Sequence, residues 1–238
     1  MNDGYLRGII HCHSRHSHDS LVNISAYLNA ARRHALDFIV LTDHDTIEGS
    51  LELADAARRI LPRLQVPLAA EYNTSHGDVI AVFLKEDIAS RQIDAFFAEA
   101  RAKDALLLLP HPYVGHQETE ALAAQCDLVE VVNCRASAPA NQRATALAAA
   151  LGKRSYPASD AHFAHSLGNA IVEVQDLGSL RASLSHGQMR WRQPRLTGQF
   201  EYGASQLISA VKLKDMNRLK ILAKRTVRRL YAGLNGNA

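Results

Sequence analysis

Four short histidine and carboxylate clusters recur along this chain: His11-Cys12-His13, Thr42-Asp43-His44-Asp45, Leu109-Pro110-His111-Pro112 and Ser159-Asp160-Ala161-His162, with Glu71 between the second and third. Imidazole nitrogens and carboxylate oxygens are the donors with which a hydrolytic centre holds divalent cations. Such mixed sets suit zinc, manganese or iron and do not choose among them. A bound cation lowers the pKa of its water toward ~7, and a pair of cations can clamp the attacking and leaving oxygens of a displacement. The substrate that most needs this is an anionic phosphate ester, which repels hydroxide until its charge is neutralised. A lone His-x-His is weak, because paired core or surface histidines explain it as well. Followed by Ser14, Ser17, Asp19 and Ser20, and then by three more clusters, it carries weight. Strand alternation would place His11 and His13 on one face, about 6–7 Å apart, with Cys12 turned outward as a small apolar filler.

The elements that must position these clusters alternate along the chain. Strand-like runs cover residues 6–12, 37–41, 66–70, 79–84, 105–109, 128–132, a short stretch near Tyr156, and 170–174. Helical spacing covers residues 24–35, 50–60, 89–103, 118–124 and 140–151. Strands alternating with helices of this length predict βα units and a parallel sheet. Seven or eight strands are enough to close a barrel, so the expected fold is α/β, a distorted (β/α)7 barrel with a C-terminal basic helical tail. The clusters support this placement, since each falls at or just past the end of a strand, where such barrels gather their active-site side chains. His34 and His186 fall on helices and His116 on a loop, and all three read as surface residues.

The 238 residues fit one large domain, and 47% hydrophobic with 21% charged residues is ordinary for a globular chain. No apolar run is long enough to span a membrane, and Met1-Asn2-Asp3-Gly4 lacks the layout of a signal peptide. Cys12, Cys126 and Cys134 form no C-x-x-C pair, so reduced thiols and a cytoplasmic location are expected. Charge is uneven. From Ala204 onward there are eight Lys/Arg against one acid, Asp215, so an acidic body of net −4 carries a tail of +7. Domain boundaries follow: a barrel over 1–186, a connector over 187–203, and a basic tail over 204–238. In the tail Leu207, Ile208, Val211, Leu219, Leu222, Val227 and Leu230 recur at helical spacing. An amphipathic helix packed on the barrel with a solvated basic face is the simplest account, with nucleic-acid contact or an anionic membrane surface as sharper ones.

Taken together, the run from His11 to Ser20, Thr42-Asp43-His44-Asp45, Glu71, His111-Pro112 and Ser159-Asp160-Ala161-His162 resemble the PHP (polymerase and histidinol phosphatase) domain family over roughly residues 5–175. The resemblance implies a distorted seven-stranded barrel with a di- or trinuclear metal site that hydrolyses phosphoesters. Residue by residue, it implies one metal on His11, His13, Glu71 and Asp160, with Glu71 bridging to a second on His111, and a third on Asp19, His44 and His162. There is one departure. Family members with three metals often supply another histidine after the glutamate, and residues 79–84 contain none; His76 and Asp78 are the candidates to replace it. Asp43 and Asp45, flanking His44, are candidates to orient a ligand imidazole.

For substrate, Asn133 and Arg135 end and follow a strand, where the family often carries an Asn or Arg, and an arginine there can hold a phosphate in bidentate fashion. A solvated loop arginine is the competing account. Arg15, His16 and His18 read as loop surface, with His18 nearest the expected metals, and no role is assigned to His165. The expected activity is hydrolysis of a small phosphorylated substrate by a phosphatase or nucleotidase using two or three divalent ions and an activated water. The alternatives are an oligonucleotide-trimming exonuclease, for which the tail would supply affinity, and a binding scaffold without chemistry.

Overall fold

Short runs of branched and aliphatic residues form nine strands, described here in a computed structural model covering residues 4–222. They are β1 (Tyr5–Ile10), β2 (Phe38–Val40), β3 (Ala69–Thr74), β4 (Gly77–Val82), β5 (Leu106–Leu109), β6 (Leu128–Asn133), β7 (Arg154–Ala158), β8 (Val172–Gln175) and β9 (Met189–Trp191). Between them lie α1 (Ile24–His34), α2 (Glu48–Ile60), α3 (Ile93–Ala102), α4 (Thr119–Gln125), α5 (Ala138–Ala150), α6 (Leu180–His186) and α7 (Gln199–Lys212). Local signals set several helix starts. The side chains of Asn23, Ser137 and Ser179 accept from the backbone N–H three residues on, capping α1, α5 and α6.

The expected (β/α)7 barrel does not form. The strands make two separate sheets, ordered β2-β1-β8-β9 and β3-β4-β5-β6-β7, and neither closes. Only β1/β2, β5/β6 and β6/β7 pair in parallel; β1/β8, β8/β9, β3/β4 and β4/β5 are antiparallel. The regular βα order breaks first at the β3–β4 turn, where Thr74 pairs with Gly77. Two intervening residues allow a hairpin, whereas a parallel crossover needs a dozen or more. Backbone pairing between the sheets is limited, among the described residues, to isolated bridges such as His44 with Glu71 and Cys12 with Ala161, both beside the histidine clusters. Residues 187–203, expected as a connector, contain β9 and the first turn of α7.

Leu6, Ile10, Val40, Ile80, Leu108, Leu128, Tyr156 and Val172 pack into one core drawn from both sheets. Outside it, α1 and α2 cover one sheet and α3, α4 and α5 the other. Cys12 lies outward with Tyr27 and Leu28 of α1, the side expected for it, although β1 ends before it, and all three cysteines are buried and unbridged. The tail helix inverts the expected pattern: Leu207 and Val211 are exposed, while Ser205, Ser209 and Ala210 are buried. Val227 and Leu230, with the basic residues beyond 222, lie outside the described residues. Among the described residues no helix is long and apolar enough to cross a membrane.

Candidate metal centre

Backbone conformation brings the clusters inward. His11, Asp45, His111 and Asp160 all have positive φ, at 63°, 59°, 27° and 48°. Residues with a Cβ seldom adopt this region, and it ends the extended run at each position. Thus β1 stops at Ile10, one residue before the His-x-His. The two imidazoles converge because the chain turns at His11, with ring centroids 5.2 Å apart in an edge-on arrangement, rather than by continuing strand alternation.

The atoms that meet are the inward nitrogens and oxygens of all eight expected ligands. Glu71 Oε2 lies 3.4 Å from His11 Nε2, 3.3 Å from His13 Nε2 and 3.3 Å from His44 Nδ1. Asp160 Oδ1 lies 3.6 Å from His11 Nε2 and 3.3 Å from His13 Nε2. Donors held at ~2.0–2.2 Å from one cation at tetrahedral angles are about 3.3–3.6 Å apart, so these separations fit such a cation. Glu71 Oε1 meets His111 Nε2 at 3.0 Å, and Asp19 Oδ2 meets His162 Nε2 at 2.8 Å and His44 Nε2 at 3.6 Å. Three sets have donor atoms all within 4.8 Å of one another: His11, His13 and Asp160; His11, Glu71 and His111; and His13, Asp19, His44 and His162. Three of these atoms, His11 Nε2, His13 Nε2 and Glu71 Oε2, are buried without a hydrogen-bond partner, as is the other carboxylate oxygen of Asp19, Oδ1. Leaving such groups unmatched is costly, and a shared cation would satisfy them. The residues present therefore fit divalent metal.

The outer atoms of the same side chains are anchored. His11 Nδ1–H donates to Glu130 Oε2 at 2.8 Å, which leaves its Nε2 lone pair facing the centre. Ser17 Oγ donates to Asp43 Oδ1 at 2.7 Å, so the 3.1 Å contact of His13 Nδ1 with that hydroxyl must be donated by the imidazole. His13 Nε2 is then also a free acceptor. This tautomer logic is how a ring's remote partner prepares it for a metal. Asp43 therefore acts through Ser17, and also accepts from Ser14 N and Ser14 Oγ, both at 2.6 Å. Asp45 orients no imidazole and pairs with Arg91 Nε at 2.7 Å. Glu130 was not singled out from the sequence. Its signal is a carboxylate in the apolar run Leu-Val-Glu-Val-Val of β6, where it is 1% exposed.

Electrostatics follow from this crowding. Without a cation bound, burial would lower His11, His13, His44 and His111, but nearby carboxylates reverse that for three. Glu71, Asp160 and Glu130 raise His11 well above its ordinary value; Glu71 and Asp19 raise His44 to about 10; Glu71 raises His111 to about 9. His13 falls to about 3, through burial and then through neighbouring His162 and His44. Burial alone favours the neutral acids, yet His11 and His44 hold Glu71, and Arg135 and His11 hold Asp160, well below the usual carboxylate range. Protons on histidine thus occupy a place that cations would take.

Arg135 and Asn133 lie at the same mouth. Arg135 Nη1 is 2.8 Å from His162 Nε2 and 3.5 Å from Asp160 Oδ1, and Nη2 donates to Ser205 Oγ at 2.7 Å. Asn133 is buried; its Nδ2 donates to Asp160 Oδ2 at 3.2 Å while its Oδ1 accepts from the N–H groups of Arg135 and Ala136. Asp78 Oδ2 lies 4.0 Å from His111 Nε2, whereas His76 bonds Ser75 at the hairpin turn. His18 packs its ring 4.7 Å from that of His44. Arg15 and His16 turn to Glu52 of α2. His116, expected on the surface, is partly buried beside His111 and touches Asp78 O at 2.8 Å.

A centre of this donor set, gathered from β3 and from the segments after β1, β2, β5 and β7, defines a class, and comparison with known proteins agrees. The PHP domain model matches residues 10–138, and a PHP-associated model matches residues 138–188. The chain belongs to the PHP domain family. A curated uncharacterized protein of Methanocaldococcus jannaschii is 27% identical over 96 residues, 40% of this chain, and the chain spans 55% of that protein's length. Among solved structures, the fold is similar to a two-domain protein of Bacteroides vulgatus containing a predicted PHP-like metal-dependent phosphoesterase (TM-score 0.65, 20% identity, 81% of this chain and 66% of that one). It is also similar to PsfC of Pseudomonas syringae (TM-score 0.62, 16% identity, 92% and 99%).

Proposed function

We propose that this protein is a metal-dependent hydrolase of phosphate esters, acting on a small phosphorylated substrate. The observation that carries the reading is the set of buried, unpartnered inner atoms on His11, His13 and Glu71, with separations among His11, His13, Glu71 and Asp160 that suit one cation. In this reading His11, His13, Glu71 and Asp160 hold one cation, Glu71 and His111 a second, and Asp19, His44 and His162 a third. When bound, these cations supply a water of lowered pKa and neutralise the phosphate's charge. Glu130 and Ser17 fix the tautomers of His11 and His13. Arg135 lies beside Asp160 and His162, placed to meet a non-bridging phosphate oxygen. Asn133 holds Asp160 and the backbone of Arg135 in place. The Bacteroides vulgatus neighbour, described as containing a predicted PHP-like metal-dependent phosphoesterase, agrees with this activity.

Two described tail cations favour a small substrate over nucleic acid. Lys212 donates to three backbone carbonyls, and Arg218 bonds Ser209 and Gln206, so both serve the protein's own groups. The test is purified protein, stripped and reloaded with manganese or zinc, against p-nitrophenyl phosphate, nucleoside monophosphates, a bis-aryl phosphodiester and short oligonucleotides. Cation-dependent release from monoesters, abolished in His13→Ala, is the expected result. Salt-sensitive cleavage of oligonucleotides alone would replace this reading with a nuclease. No retained cation and no hydrolysis would leave a binding scaffold.

A further inference from the structure

Helix α7 takes no part in the chemistry above, yet its inward side is polar. Glu201, Ser205, Ser209 and Lys212 are spaced by four, four and three residues, which puts them on one face. At one end Glu201 accepts from His165 Nε2 at 2.8 Å and from Ser166 Oγ at 2.5 Å, just past the Asp160–His162 motif. In the middle Ser205 Oγ accepts from Arg135. At the other end Lys212 Nζ donates to the carbonyls of Arg15, Ser17 and Ser20 at 2.7, 2.7 and 2.8 Å. An ammonium has three donors, and all three are used here. The segment so held, residues 15–20, carries Ser17 and Asp19 and belongs to no helix or strand. Its Ser20 Oγ also bonds His13 O at 2.8 Å and His162 O at 3.2 Å.

We propose that α7 is a strap that completes the Asp19–His44–His162 group, with Lys212 as a positioning residue that fixes the 15–20 segment, and through it Asp19, for the cation held there. Helix α7 spans both segments that flank this group, one after β1 and one after β7. Among the described residues Glu71 and His111 make no hydrogen bond or ion pair with α7 or with residues 15–20, whereas His13 of the remaining group contacts Ser17 and Ser20. The proposal rests on reading the Asp19 group as a cation site. It follows that cation occupancy at this group depends on α7, while occupancy at the Glu71–His111 group does not; His13, tied to the held segment through Ser17 and Ser20, links the strap to its own group more weakly.

The experiment compares full-length wild type, Lys212→Met and Lys212→Arg by calorimetric titration with manganese alone and by amide hydrogen exchange. Expected in Lys212→Met is the loss of one manganese equivalent, or at least a tenfold weakening of one, with at least one other equivalent unchanged and Lys212→Arg close to wild type. Exchange at residues 15–20 should quicken at least tenfold while β5 and β6 keep their protection. Unchanged manganese binding in Lys212→Met overturns the proposal, even if the segment exchanges faster. Exchange that quickens equally in β5 and β6 also overturns it, because Lys212 would then support the whole fold. If wild type takes up no manganese, the functional reading fails, and exchange at residues 15–20 still decides whether Lys212 holds the segment.

Discussion

Gly49 opens α2, and on helix propensity alone Gly49→Ala should stabilise the protein by ~1 kcal/mol. The structure predicts the opposite. A Cβ at this position would lie 1.8 Å from Asp43 Oδ2 and 2.7 Å from Ser14 Oγ. That carboxylate accepts from Ser14 N, Ser14 Oγ and Ser17 Oγ, so it cannot retreat without breaking bonds that fix His13. Overpacking costs about 1–3 kcal/mol, and one hydrogen bond lost from a charged group about 1.5–3 kcal/mol. Against the propensity gain, the net loss is about 2–5 kcal/mol, or roughly 10 °C in Tm for a chain of this size. Thermal unfolding followed by circular dichroism reads this directly. The control is Gly203→Ala in α7, where a Cβ meets nothing within 4 Å and the sign should be positive, by up to ~1 kcal/mol. An unchanged or raised Tm for Gly49→Ala would refute the claim that Asp43 is locked between α2 and the loop after β1.

Glu130→Gln should leave the fold intact but weaken manganese binding about 10–100-fold, since His11 loses its anionic partner; titration against a competing chelator measures it, and wild-type affinity would count against the role given to Glu130. Arg135→Ala should raise KM for a phosphomonoester with cation content preserved, and unchanged kinetics would remove Arg135 from the substrate site. For pH, His44 and His111 are raised to about 10 and about 9 without a cation, above their unfolded values of about 6.5. Their contribution to stability is therefore complete below about pH 6.5 and is lost as pH rises through 9 to 10. The chelator-treated protein should lose Tm between about pH 8 and about pH 10, and the manganese-loaded protein should not; parallel profiles would contradict this assignment of the protons.

Much of the centre was legible because its chemistry is spelled in residue types. His11, His13, His44, Glu71, His111, Asp160 and His162 each follow an apolar run, and their order alone suggests one centre. The layer outside them was not legible. Glu130 sits in a strand pattern that differs from an ordinary apolar strand by a single carboxylate, and only the depth of burial gives it meaning. Asp43 was noticed for its place beside His44, yet it serves His13 through a serine contributed by another loop. The expected all-parallel order failed for a reason that was present in the sequence: two residues between β3 and β4 cannot carry a crossover. The tail's apolar spacing suggested a face packed inward, but α7 is held instead by Glu201, Ser205 and Lys212, whose partners are backbone carbonyls and side chains that no periodicity can reveal.

The most direct measurement is anomalous diffraction at the manganese edge from crystals grown with manganese. The account predicts strong peaks roughly 2.0–2.3 Å from His11 Nε2 and His13 Nε2, with another beside Asp19, His44 and His162. A map in which manganese avoids these side chains, or in which their inner nitrogens hold only water, would contradict it.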